Sequence, residues 1–170
     1  MNPADLVALS AAHGIALDRL PHGSAGTSRP EWTVAELGMA AQGVPDLCFR
    51  AACYSYAGAV GEFSRLWESL VHEAGRLRRR ERWPPTVPGA RGGTVNYTPL
   101  IASLVLDEDA HARYFHAAPS LYWVYLDVSA ETWRCHLRER FVAVQLVYLG
   151  WLSTARRIMW PRLREECVDD

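Results

Sequence analysis

Residues 119–159 read PSLYWVYLDVSAETWRCHLRERFVAVQLVYLGWLSTARRIM, and their spacing decides the fold. Trp133, Leu137, Phe141, Val144, Tyr148, Trp151, Ala155 and Ile158 or Met159 recur every three or four residues. That is the period at which side chains share one face of an α-helix. The pattern predicts a helix of about 30 residues, roughly 45 Å long. Ser129 would cap it by accepting from an early backbone N–H, and Pro161 would close it. Ahead of it, 119–126 reads as a short helix and 127–128 as a tight turn, in which Asp127 can adopt the left-handed backbone at some cost.

A short helix, a tight turn and a second helix make a helix-turn-helix, whose second helix lies in the DNA major groove. Tyr122, Leu126, Val128, Trp133 and Leu137 fall where the two helices would meet. The exposed face would present Ser129, Glu131, Thr132, Arg134, Cys135 and Arg138. A guanidinium can bond two acceptors on a guanine edge or clamp a phosphate, which suits such a face. Three residues depart from the usual pattern: Asp127 where glycine is common, Trp123 where a small residue is, and His136 where an aliphatic one is. Two core helices joined by a tight turn would leave the same pattern, so both readings stand at this point.

The run 117–134, AAPSLYWVYLDVSAETWR, with the amphipathic helix after it, resembles the C-terminal halves of small phage regulators. It is similar to Q-type late-gene antitermination proteins, whose helix-turn-helix resembles the promoter-element-reading domain of sigma factors. The resemblance is confined to residues 117–152. It implies a protein of the bacterial cytoplasm that binds double-stranded DNA at a phage site and engages RNA polymerase so that transcription passes terminators. Arg134 and Arg138 are the positions that carry over. The paired-cysteine zinc motif of some antiterminators does not occur in this sequence.

The rest of the chain also reads as helices, with few strand signals, so the expected class is all-α: a multi-helix bundle with a C-terminal helix-turn-helix and a long terminal helix. A helix is expected over 3–13, followed by a loop rich in Pro, Gly and Ser over 20–32. Thr33 and Glu36 form a capping box for the next helix, and Gly43 ends it. Pro45 opens a third helix that Gly58 and Gly61 interrupt. Phe63, Leu66, Trp67, Leu70, Val71, Ala74 and Leu77 stripe a fourth. Residues 84–97, rich in proline and glycine, read as a linker or loop between an N-terminal helical region, 1–83, and a second one, 98–170, which could pack together as one domain. Thr98 followed by Pro99 marks a further helix start.

All eighteen basic residues are arginine, against nineteen acids, for a formal net charge of −1. That total hides opposed blocks. Residues 134–164 hold seven arginines against Glu139 alone, net +6, while residues 165–170 hold four acids. A second cluster, Arg76, Arg78, Arg79, Arg80 and Arg82, ends the fourth helix, where arginines favour the helix dipole or could meet a phosphate backbone or an acidic partner.

Other chemistry is weakly signalled. Cys48 and Cys53, like His111 and His116, are five apart and diverge on a helix, so no metal site is expected. The consecutive acids Asp107, Glu108 and Asp109 read as a solvated face. No phosphate loop or nucleophile arrangement stands out, and neither an enzyme nor a cofactor is expected. The longest nearly apolar run, 141–152, is too short for a bilayer span of about 20 residues. The N-terminal residues lack the features of a signal peptide, so a cytoplasmic location is expected. The expectation is a DNA-binding phage-type transcription regulator, an antiterminator acting with RNA polymerase. The alternative is a helical protein-binding factor, such as a phage-encoded inhibitor of a host system, that binds no nucleic acid.

Overall fold

The computed structural model describes residues 32–114 and 122–166. The helix expected over 3–13 and nearly all of the loop after it lie outside these residues. The described chain is helical apart from one small hairpin: α1 Val34–Ala40, α2 Asp46–Ala57, a 3-10 turn Val60–Glu62, α3 Phe63–Arg80, β1 Val87–Pro88, β2 Thr94–Val95, α4 Tyr97–Tyr114, α5 Tyr122–Tyr125, α6 Ala130–Thr132, a π turn Trp133–Leu137 and α7 Arg138–Glu166. It is an all-α bundle with a long C-terminal helix. None of its helices is long and apolar enough to cross a membrane.

The chain forms two compact units. One holds 32–66 and 149–166. Its helix α1 starts as the sequence predicts. Thr33 Oγ1 accepts from Glu36 N–H at 3.2 Å, and the Glu36 carboxylate accepts from Thr33 N–H at 2.6 Å. These reciprocal bonds satisfy N–H groups that a helix start otherwise leaves unpaired. Leu37, Ala40, Cys48, Ala52, Cys53, Ala155, Met159 and Leu163 form this unit's buried core.

Pro161 does not end the last helix, as its missing N–H predicts; α7 runs through it to Glu166. The residues just beyond supply the reason. Leu163 is buried in the core, and Arg162 Nη1 donates to Ala40 O at 2.9 Å and to Gln42 O at 2.5 Å. Tertiary anchoring thus offsets the lost ladder bond and closes the C-terminal end of α1.

The second unit, Trp67–Tyr148, holds most of α3, the hairpin, α4 to α6, the π turn and the start of α7. On its part of α3, Leu70 and Ala74 are buried at the predicted spacing, and Trp67 Nε1 donates to Pro99 O at 3.1 Å. The segment expected as a linker or loop pairs into an antiparallel hairpin, Val87 with Val95 and Pro88 with Thr94. Helix α4 begins at Tyr97, one residue before the Thr98 cap expected from the sequence. Asn96 is the reason, since its side-chain oxygen lies 3.4 Å from Thr98 N and takes the capping role.

Candidate nucleic-acid interface

Only Tyr122–Tyr125 of the short helix expected over 119–126 falls within the described helix; residues 119–121 lie outside the described chain. It ends in a Schellman cap. Asp127 takes φ 51, and Val128 N–H reaches back to Trp123 O at 2.9 Å, the bond that closes a helix whose terminal residue is left-handed. Ser129 then caps the next helix by accepting from Thr132 N–H at 3.0 Å.

Tyr122, Leu126, Val128, Trp133 and Leu137 are all buried, as the two-helix reading requires. The Tyr122 ring lies 5.5 Å from Phe141 and 5.1 Å from Trp133, with Trp133 and Phe141 5.7 Å apart. Three mutually packed aromatics thus lock the short helix to the long one. Beyond them the buried face continues through Val144, Tyr148, Leu152, Ala155 and Met159. Leu152 takes the place predicted for Trp151, which is half-buried.

The opposite face is polar. Ser129, Glu131, Arg134, Cys135, His136 and Arg138 are exposed and Thr132 is half-buried. The wide π turn, closed by Arg138 N–H to Trp133 O, carries Arg134, Cys135 and His136 consecutively to the surface. Such turns concentrate at functional sites.

Glu131 organises this face, because Arg134 Nη2 donates to one of its oxygens and Cys135 Sγ lies 3.0 Å from the other. The hydrogen bonds from Cys135 and Arg134 hold the Glu131 carboxyl below the usual carboxylate range, and the bond to Glu131 pushes the Cys135 thiol up. Arginine offers five N–H donors and this pair occupies one nitrogen, so Arg134 is oriented with donors in hand. The Ser129 and Thr132 hydroxyls lie 2.9 Å apart and are engaged in the cap.

No protein-family model, curated protein or solved structure matches this chain.

The hairpin supplies what the sequence reading missed. Ala90 N–H donates to Asp127 O at 2.8 Å, and Arg91 Nε lies 3.4 Å from an Asp127 oxygen. The hairpin loop therefore buttresses the turn and places the exposed Arg91 beside it. A Cβ at Gly89 would sit 3.2 Å from Gly92 O and 3.6 Å from Asp127 O, so the close approach favours glycine there. The glycine run of 89–93, legible as a turn, carried the signal; which part of the chain it would dock against was not legible.

The acidic cluster is not the solvated face expected from the sequence. Glu108 is half-buried, accepting from Tyr122 Oη and, at 2.8 Å, from Gln145 Nε2, and Tyr148 Oη donates to Asp109 at 3.2 Å. Burial pushes the Glu108 carboxyl above its ordinary value, while the bonds from Tyr122 and Gln145 pull it back. The cluster therefore anchors the aromatic ring that holds the two-helix unit together.

In the second basic cluster, Arg76 pairs with Glu73 at 2.9 Å and Arg80 with Glu81 at 2.7 Å. Arg79 and Arg82 are exposed and Arg78 is half-buried. Arg140, one of the seven arginines of the positive block 134–164, is buried, with its guanidinium over the Tyr97 and Trp83 rings. Cys48 and Cys53 are core residues, and burial pushes the Cys53 thiol up to about 11. Among the described residues no group of three His, Cys, Asp or Glu side chains could hold a metal ion.

Proposed function

We propose that this chain is a DNA-binding transcription regulator. The polar face that follows the Asp127 turn docks on double-stranded DNA, with Arg134 and Arg138 as the base- or phosphate-contacting residues and Arg91 as a flanking cation. The observation that carries the reading is the segregation of the two faces. Tyr122, Trp133 and Phe141 fix the paired helices on one side, and Glu131, Arg134 and Arg138 stand exposed on the other. Within this reading, the resemblance to antitermination proteins makes bacterial RNA polymerase the second partner.

The test is selection of bound sequences from a random duplex pool by the full chain, with and without RNA polymerase. Enrichment of one site, lost in Arg134→Ala/Arg138→Ala at unchanged helical content, supports the reading. Absence of any enriched duplex under both conditions overturns it.

A protein-binding factor is the second reading, and the apolar surface of α1 favours it: Val34 is 50% and Met39 65% exposed. That reading expects the same double variant to leave nucleic-acid binding undetectable and unchanged.

A further inference from the structure

Between Arg82 and Asp107 the sequence carries a single charged residue, Arg91. The hairpin sets it at its tip. Val87 is buried and Val95 half-buried where the strands pair, whereas Ala90, Arg91, Gly92, Gly93 and Thr94 are all exposed. Gly92 and Gly93 take φ 89 and 76 there, a backbone that glycine adopts without strain. No bulky side chain in this tip stands between Arg91 and an approaching surface.

The tip is seated on the helix pair. Ala90 N–H donates to Asp127 O at 2.8 Å, and a Cβ at Gly89 would lie 3.6 Å from the same oxygen. Ser129, which caps the exposed helix, follows Asp127 by two residues, a chain reach of at most about 7 Å. Arg134 bonds back to Glu131 in the first turn of that helix. The hairpin tip and the Arg134 guanidinium therefore both border the helix start, the part that meets base edges when such a pair docks on a duplex.

The Asp127 carboxylate acts on Arg91 as well. Arg91 Nε lies 3.4 Å from Asp127 Oδ1, with the two side chains 88% and 54% exposed. An ion pair this open adds little to stability, so the backbone bond seats the hairpin and the ion pair orients the guanidinium. The Nη1–Nη2 edge, opposite Nε in the planar fork, makes no hydrogen bond among the described residues. Such an edge can donate to two oxygens of one phosphate.

We propose that the hairpin tip is a second contact surface for double-stranded DNA, in which Arg91 grips a backbone phosphate beside the groove and Asp127 is the positioning residue that aims it. The proposal rests on the duplex reading above and adds the kind of contact and the residue behind it. A phosphate carries no base identity, so this contact fixes register and orientation, and the choice of sequence stays with the helix. Without Arg91, the Asp127 carboxylate would face the phosphate unpaired.

The experiment takes the duplex that the full chain enriches from a random pool with RNA polymerase supplied, and measures affinity against salt for it and for a base-shuffled duplex. One phosphate contact contributes about 0.9 to the slope of log affinity against log salt, or about eightfold in affinity at 0.1 M salt. Arg91→Ala should therefore flatten the slope from about −2.7 to about −1.8 and weaken both duplexes about eightfold or more. It should enrich the same sequence as the parent. Arg91→Lys keeps the charge and should keep the slope. In an Asp127→Asn background, where asparagine still tolerates the left-handed turn, Arg91→Ala should cost less than in the parent, because no carboxylate then faces the phosphate and Arg91 is no longer aimed.

Arg91 is exposed, so its variants should keep the parent's far-UV circular dichroism. Equal affinity and slope for the parent and Arg91→Ala, a changed enriched sequence, or an equal cost of Arg91→Ala in both backgrounds would overturn the proposal while the duplex reading stands. A parent chain that enriches no duplex overturns the reading and the proposal with it. Whether the parent binds a duplex thus tells the two failures apart.

Discussion

Tyr122→Phe isolates one hydrogen bond beneath the helix pair. The ring is 3% exposed and packs on Trp133 and Phe141, contacts that phenylalanine keeps, while the hydroxyl it lacks is one of two donors to the Glu108 carboxylate. A hydrogen bond to a charged group contributes about 1.5–3 kcal/mol. The variant should lose that much at pH 7, lowering Tm by about 3–12 °C at roughly 2–4 °C per kcal/mol.

The pH dependence has a definite sign. Burial raises the folded pKa of Glu108, so the stability gained by protonating it is fully present below the unfolded value of about 4.3. That stability is lost as pH rises through the folded value. The Tyr122 bond pulls the folded value down, so removing it raises that value further. The cost of the substitution should therefore shrink on acidification from pH 7 to pH 4, towards the about 0.5–1.5 kcal/mol of a bond between neutral groups. Urea unfolding followed by far-UV circular dichroism at both pH values measures it. A cost below about 0.5 kcal/mol at pH 7, or one that grows on acidification, would refute a half-buried Glu108 carboxylate held by Tyr122.

Three further outcomes are expected. Leu163→Ala should cost about 2–5 kcal/mol in urea unfolding, as for a core leucine, because α7 carries this side chain into the core beyond Pro161; a cost typical of a surface site would return the helix end to Pro161. Arg82→Gly should stabilise the chain by up to about 1 kcal/mol, since glycine takes φ 54 without strain, and a loss of stability would mean that the arginine side chain itself holds the C-terminal end of α3. Among Cys48, Cys53 and Cys135, iodoacetamide on the native protein should modify Cys135 alone, more slowly at pH 8 than a model thiol and faster in Glu131→Gln, because the bond to Glu131 raises the thiol pKa. Peptide mass mapping reads all three rates, and unchanged kinetics in the Glu131 variant would contradict that contact.

Local signals in the sequence translated well into structure. The Thr33 and Glu36 capping box, the Ser129 cap and the inward series from Trp133 to Met159 depend on residues within a few positions of one another. Asp127 could be read as a left-handed turn residue for the same reason. Pro161 was misread because the forces that keep α7 helical past it come from Ala40, Gln42 and a core some 120 residues away in sequence. Glu108 was misread because three consecutive acids carry no sign of which one faces Tyr122 and Gln145. Arg140 belongs to a block whose charge is legible, but not its direction. It stands two residues from Arg138, which turns it by about 200° to the opposite side of the helix and between two rings.

The salt dependence of duplex affinity, measured for the parent chain and for Arg134→Ala/Arg138→Ala with RNA polymerase supplied, tests the proposed interface most directly. About three arginine contacts to phosphate, from Arg134, Arg138 and Arg91, give a slope of log affinity against log salt near −2.7, and removing two should flatten it by about 1.8. A flatter slope and weaker binding at unchanged helical content is the expected result. Equal slopes and equal affinities for the two proteins would contradict the claim that this face meets DNA.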